Sequence, residues 1–304
     1  MSSIALVGDV DGGVLRAAGW DVRGALSTMP YDDPRDVPSY SSVDDLCADD
    51  GLDAVALAGS DPLLARHLPV LRAHGKHVLL VSAAPLDLEL LRAARTVETA
   101  AEVVVALAER WEPWALTVAA ALPLVGSPAL QVTVRGWSTG EAAAAELVDL
   151  AQAWCGEVVA VVAAPAPLPA ASLGEGLPVA WSLLHASGAT VLVSHRGSPP
   201  LARLSFATAR LEAGPLGARW EGGAELPLLA TPDRREVPLR AAVPPGTSAG
   251  LLACSVDLLA VTKGRELATL AWPWPADLGD LQAVGRVLAA LRESARIEAL
   301  VRVG

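Results

Sequence analysis

Histidine is scarce in this chain: five among 304 residues, beside three cysteines, two tyrosines and one phenylalanine. So few imidazoles and thiols leave little to build a metal centre from. Cys47, Cys155 and Cys254 are far apart and odd in number, so they form neither a disulfide framework nor a metal knuckle. They read as reduced thiols, and the expected localisation is cytoplasmic. No uninterrupted apolar run approaches the roughly 20 residues that cross a bilayer. Met1-Ser2-Ser3 is followed by no basic export segment, so no membrane association is expected. Cations are short as well: 23 Lys and Arg stand against 34 Asp and Glu, a net charge of −11. Phosphate repulsion then opposes nucleic-acid binding. Charged residues total only 19% and hydrophobic residues 52%, enough apolar surface to offset the cost of ordering a chain. The length suggests about two domains.

The charge is uneven. Residues 1–118 hold 18 acidic and 9 basic side chains, and residues 119–304 hold 16 and 14. Most of the excess is Asp32, Asp33, Asp36, Asp44, Asp45, Asp49, Asp50 and Asp53, opposed there only by Arg35. These acids read as a solvated face with helix caps, or as an acidic rim that docks a basic partner.

Residues 1–118 alternate short apolar strands with helices. Strands are expected at Ile4–Val7, Trp20–Leu26, Ala54–Ala58, His77–Val81 and Ala101–Ala106. Helices are expected to open at Gly12, at Ser42 as a cap, over Pro62–His74 and over Leu86–Thr99. Nearly continuous apolar strands with helices between them predict a doubly wound parallel sheet. Its ligands belong beyond the strand ends, here Gly8, Ser27, Ser60 and Ser82. After about residue 118 the pattern becomes α+β. Strands are expected at 130–137, 158–163, 179–184, 190–195 and 202–207, with further short strands behind them. A helix is expected over Glu141–Trp154 and a closing helix from Leu278. The fold class is thus α/β: a Rossmann-like domain, 1–118, and an α+β domain with an open, mostly antiparallel sheet, 119–304.

Several strings carry a family resemblance. One runs from Tyr40-Ser41-Ser42-Val43-Asp44-Asp45-Leu46 through Leu52-Asp53-Ala54-Val55-Ala56-Leu57-Ala58 to Gly75-Lys76-His77-Val78-Leu79-Leu80. Others are Leu147-Val148-Asp149-Leu150 with Gly156-Glu157-Val158, and the ending Val287 to Ala295. Together they resemble the glucose–fructose oxidoreductase / inositol dehydrogenase (Gfo/Idh/MocA) family. The resemblance implies a first domain that binds NAD or NADP. It implies a second domain that carries the substrate site and often dimerises through its sheet.

The functional positions depart from that family pattern. The glycine loop reads Gly8-Asp9-Val10-Asp11-Gly12-Gly13, with Val10 in place of the middle glycine that admits the pyrophosphate. A β-branched side chain there is expected to obstruct it, and Asp9 and Asp11 to repel it. The second strand ends at Ser27 rather than at a carboxylate for the ribose, and Arg23 lies too early to serve a 2′-phosphate. Ser82 stands where the resemblance places the catalytic lysine. Lys76 is the ordinary lysine before the fourth strand. Ala142 and Glu146 stand where it places an aspartate and a histidine, with Asp149 beside them. Glu146 serves as a base only if burial raises its pKa; otherwise Glu146 and Asp149 are helix surface or structural contacts. His67, His74 and His77 lack a completing ligand for a metal, and no metal is expected. His185 and His195 flank a hairpin. Trp111, Trp114, Trp272 and Trp274 suit core or interface packing.

The expectation is a degenerate family member, with no cofactor and no dehydrogenase catalysis, acting as a structural or regulatory subunit. It would be a homo-oligomer or a hetero-oligomer with an active relative, with a small molecule in the interdomain cleft as a further possibility. The alternative is a divergent NAD(P)-dependent oxidoreductase acting on a sugar, cyclitol or related polyol, with NAD or NADP as cofactor.

Overall fold

The structure is a computed structural model. It describes residues 1–26, 38–59, 62–81, 87–112, 115–116, 118–119, 121–122, 131–135, 141–163, 180–194, 201–207, 210–214, 217–221, 249–266 and 276–304.

Five strands form a wholly parallel sheet: β1 (Ser3–Val7), β2 (Asp21–Leu26), β3 (Ala54–Ala58), β4 (His77–Val81) and β5 (Val103–Ala106). Their order is β2-β1-β3-β4-β5. β1, β3 and β5 are buried from end to end, as strands covered on both faces must be. The order reverses direction beside β1, so the switch point where such sheets take ligands lies at Gly8.

The first two helices begin where side-chain oxygens meet orphan N–H groups. α1 (Gly12–Ala17) is capped by Asp11, whose carboxylate accepts from Gly13 N at 2.8 Å. α2 (Val43–Ala48) is capped by Ser42, which accepts from Asp45 N at 3.1 Å. The single helix expected over Pro62–His74 is two, α3 (Pro62–Ala65) and α4 (Leu68–Ala73). Pro69 divides them: it has no N–H to give, and its ring clashes with the carbonyl of Ala65 in a continuous helix. α5 spans Leu88–Thr96.

The second sheet holds β6 (Gln131–Arg135), β7 (Val158–Ala163), β8 (Ala180–His185), β9 (Thr190–Ser194), β10 (Leu201–Ser205), β11 (Arg210–Gly214), β12 (Gly217–Glu221) and β13 (Val301–Arg302). Its order is β12-β11-β10-β6-β9-β8-β7-β13. Only β6 and β9 pair in parallel. Burial alternates strictly along β8, β9 and β10. Trp181, Leu183, Val191, Val193, Ala202 and Leu204 are buried on one face, and the other face is half-exposed. This is the open, mostly antiparallel sheet expected. Its helices are α6 (Glu141–Cys155) and, near the end of the chain, α8 (Leu278–Ile297).

Between them lies a departure from the sequence reading. Residues 249–262 were expected among short strands and instead form a helix, α7 (Ala249–Thr262). It packs on β4, β5 and α1. The Trp20 indole donates to Ser255 O at 3.0 Å, and Ala276 bridges the edge of β5 at Val105. The chain therefore divides into Met1–Ala108 with Val237–Gln282, and Glu109–Glu236 with Ala283–Gly304. The first boundary falls ten residues before the expected 118/119 division, and the expected second domain is interrupted by a segment that completes the first.

Candidate functional site

Gly8 leaves β1 with φ +81°, and a Cβ there would lie 2.6 Å from Leu64 Cδ1 and 2.8 Å from Ala58 Cβ. Only glycine combines that left-handed turn with that close approach. Val10 N donates to Gly8 O at 3.0 Å, which folds the loop tightly. The Val10 side chain, expected in the path of a phosphate, is 1% exposed. It is packed away instead of standing at the loop surface. Gly12 is buried, with a would-be Cβ 3.1 Å from Leu6 Cδ1, so it carries the close helix–strand packing. Gly13 is exposed, and the nearest atom to its would-be Cβ is the Asp11 carboxylate at 3.1 Å.

The loop therefore keeps two features of a dinucleotide phosphate loop: a tight turn at Gly8 and close packing at Gly12. Charge opposes that fit, because Asp9 and Asp11 are both exposed. Asp11 also occupies the Gly13 N–H as the cap of α1. Ser27, Ser60 and Ser82 lie outside the described residues. Just before Ser27, Ala25 is bridged by Ser39. Tyr40 donates to Asp49 Oδ2 at 2.7 Å, and Arg23 lies 3.8 Å from Asp49 Oδ1. Burial and the Asp49 carboxylate push the Tyr40 hydroxyl up to about 12, and that hydrogen bond holds Asp49 below the usual carboxylate value. Lys76 is buried, and its ammonium donates to Asp49 O at 2.7 Å and Leu52 O at 2.9 Å. It is a structural tie at the end of α2.

The α6 positions have a different fate. Ala142, Glu146 and Asp149 recur at helical spacing and share a face. Asp149 takes two charge-assisted bonds from Arg110, Nε to Oδ2 at 2.6 Å and Nη2 to Oδ1 at 2.5 Å. The two side chains are 5% and 3% exposed. One turn earlier, Glu146 Oε2 accepts from Glu109 N at 3.1 Å. Both carboxylates thus fasten α6 to the turn at Ala108–Trp111. Arg110, the partner that decides this, was not singled out from sequence; its signal is a lone cation just past the last strand of an acidic segment.

The histidines are not brought together as a site. His74 Nδ1 lies 3.0 Å from Val70 O, and His77 Nδ1 accepts from Glu102 N at 3.1 Å. Burial pushes His67 and His77 below the ordinary histidine value. His185 Nδ1 lies 2.7 Å from Gly156 O, and His195 is outside the described residues, as are Trp114, Trp272 and Trp274. Among the described residues no group of His, Cys, Asp and Glu could hold a metal, and no helix is long and apolar enough to cross a membrane. All three cysteines are free and buried. A shallow recess of about 260 Å³ lies on the second sheet, lined by Thr133, Val162, Ser182, Leu192 and Ser194 among others.

No family model matches the chain, and no curated protein matches it in sequence. Solved structures do match. The WlbA dehydrogenase from Bordetella pertussis, in complex with NADH and UDP-GlcNAcA, is 16% identical with a TM-score of 0.72 over 100% of this chain and 98% of that one. Levoglucosan dehydrogenase in complex with NADH is 15% identical with a TM-score of 0.71, over 100% and 99%. An oxidoreductase from Agrobacterium radiobacter, in complex with NAD+, L-tartaric acid and magnesium, is 16% identical with a TM-score of 0.70, over 100% and 98%. The expectation that no cofactor belongs with this chain is corrected by these neighbours. Proteins that match it from end to end are NADH complexes. Locally, the Val10 side chain is buried and does not stand at the loop surface. The chain carries the two-domain fold of the Gfo/Idh/MocA oxidoreductases, and at these identities the likeness establishes the fold.

Proposed function

We propose that this protein is a divergent NAD(P)-dependent oxidoreductase acting on a sugar, cyclitol or related polyol. One observation carries the reading: the loop after β1 keeps a left-handed Gly8 and a closely packed Gly12 while Val10 is buried. Gly8, Gly12 and Gly13 would hold the phosphates, and Ser27 and Ser60, which follow β2 and β3 in the sequence, are proposed as hydroxyl contacts. The nicotinamide, when bound, accepts or donates a hydride. Asp149 is committed to Arg110, so the substrate proton must be handled elsewhere. Glu146, whose Oε2 accepts from Glu109 N, is the residue proposed for it.

A second reading is favoured by the same buried pair. With Ser82 in place of a lysine and both α6 carboxylates bound structurally, the protein would bind dinucleotide without hydride transfer and serve as a structural or regulatory subunit. In either reading the half-exposed face of the second sheet suits a homo-oligomer or a hetero-oligomer with an active relative. The three free thiols suit the cytoplasm.

The test is a titration of the full chain with NADH and NADPH, followed by NAD+ or NADP+ with a panel of sugars and cyclitols. Saturable binding with turnover supports the first reading. Binding without turnover supports the second. Absence of binding at millimolar concentration overturns both.

A further inference from the structure

His185 ends β8 and is 4% exposed. Its Nδ1 lies 2.7 Å from the Gly156 carbonyl oxygen. A carbonyl only accepts, so the ring proton is assigned to Nδ1. Nε2 then carries the bare lone pair, and it is buried without a hydrogen-bond partner. Nearby, Ser187 Oγ donates to Cys155 O at 2.7 Å, and Ala186 N donates to Glu157 O at 2.9 Å. Gly156 follows α6 at φ +84°. The side chains of the β8–β9 turn thus satisfy carbonyls that the end of a helix leaves unpaired.

We infer that His185 is an acid-operated latch: as a neutral imidazole it fastens the β8–β9 turn to the end of α6, and a proton on Nε2 releases it. Two effects compete on the charged ring. The Gly156 carbonyl and the helix end attract a cation, whereas burial disfavours one. Burial wins and pushes the ring below the ordinary histidine value. The surroundings offer little compensation. On α6, Asp149 is paired with Arg110, and burial pushes the Cys155 thiol up to about 12, so it is neutral. Glu157 is exposed, and β7, β9 and the turn at 186–189 contain no charged residue. α8 meets β7 at its far end, where Ser294 Oγ accepts from Ala163 N at 2.9 Å.

A buried histidine with a lowered folded-state pKa favours folding above its unfolded value, about 6.5, and loses that contribution as pH falls from there towards the folded value. Within that window each pH unit shifts the closed-to-open ratio by up to about tenfold.

The experiment is amide exchange on the full chain between about pH 7.5 and about pH 5, corrected for intrinsic exchange, with the variant His185→Asn. Asparagine offers an N–H near the position of Nδ1 and does not titrate in this range. In the natural protein, protection at Gly156, Ala186 and Gly188 is expected to fall by up to about tenfold per pH unit in the window. In the variant it stays flat, and α1 to α5 behave alike in both proteins. Equal pH dependence in the two proteins overturns the latch. Ring-nitrogen NMR of the natural protein decides independently of the variant. An Nδ1–H tautomer that titrates below the ordinary value supports the latch; an Nε2–H tautomer or an ordinary midpoint overturns it.

Discussion

The loop after β1 and the exposed-looking face of α6 depart equally from their family pattern in sequence, yet the structure separates them. In the loop, the substituted residue is buried and Gly8 keeps a left-handed turn. On α6, the remaining carboxylates are drawn into structural bonds, one of them a buried ion pair. The loop thus keeps its turn, while Glu146 and Asp149 contact the turn at Ala108–Trp111.

The largest effect tests the α6 side. Arg110→Met takes the guanidinium away from the buried Asp149 carboxylate, and removing one partner of such a pair costs about 3–5 kcal/mol. Urea unfolding should show that loss, and replacing both partners by apolar residues should restore most of it. A loss below about 1 kcal/mol, the range of an exposed pair, would mean that Asp149 is available for other work. Next comes the loop. Gly8→Ala forces a left-handed residue against Leu64 and Ala58, a strain of about 1–3 kcal/mol. It should weaken NADH binding along with stability. Unchanged binding would remove Gly8 from the phosphate site.

Acid sensitivity comes third. His67, His77 and His185 are all pushed down by burial. Stability should therefore be highest above their unfolded value of about 6.5 and decline as pH falls below it. Denaturant midpoints across that range check this, and a flat profile contradicts it. The smallest effect is the sharpest for the loop. Asp11→Ala removes a helix cap worth about 1 kcal/mol, yet NADH should bind more tightly, because the charge facing the phosphates is gone. Weaker binding would show that the cap matters more to the site than its charge.

Much of the fold was legible because the apolar runs of β1, β3 and β4 and the alternation of β8 to β10 have direct periodic signals. α7 was not. Leu252, Ala253, Cys254, Leu258 and Val261 are buried on a helix that is apolar nearly all round, so no polar stripe marks it. The break at Pro69 was visible as a residue but was overridden by the leucine spacing. The site was legible as a set of substitutions and not as their consequences. Val10 blocks or does not block according to the direction its Cβ takes, which depends on the turn at Gly8. Asp149 is structural because of Arg110, which lies 39 positions away in sequence and carries no motif.

The most direct measurement of the central claim is calorimetric titration of NADH into the full chain and into Gly8→Ala, with folding of both verified. Retained loop geometry predicts saturable micromolar binding to the natural protein and markedly weaker binding to the variant. No binding to the folded natural protein at millimolar NADH would contradict it.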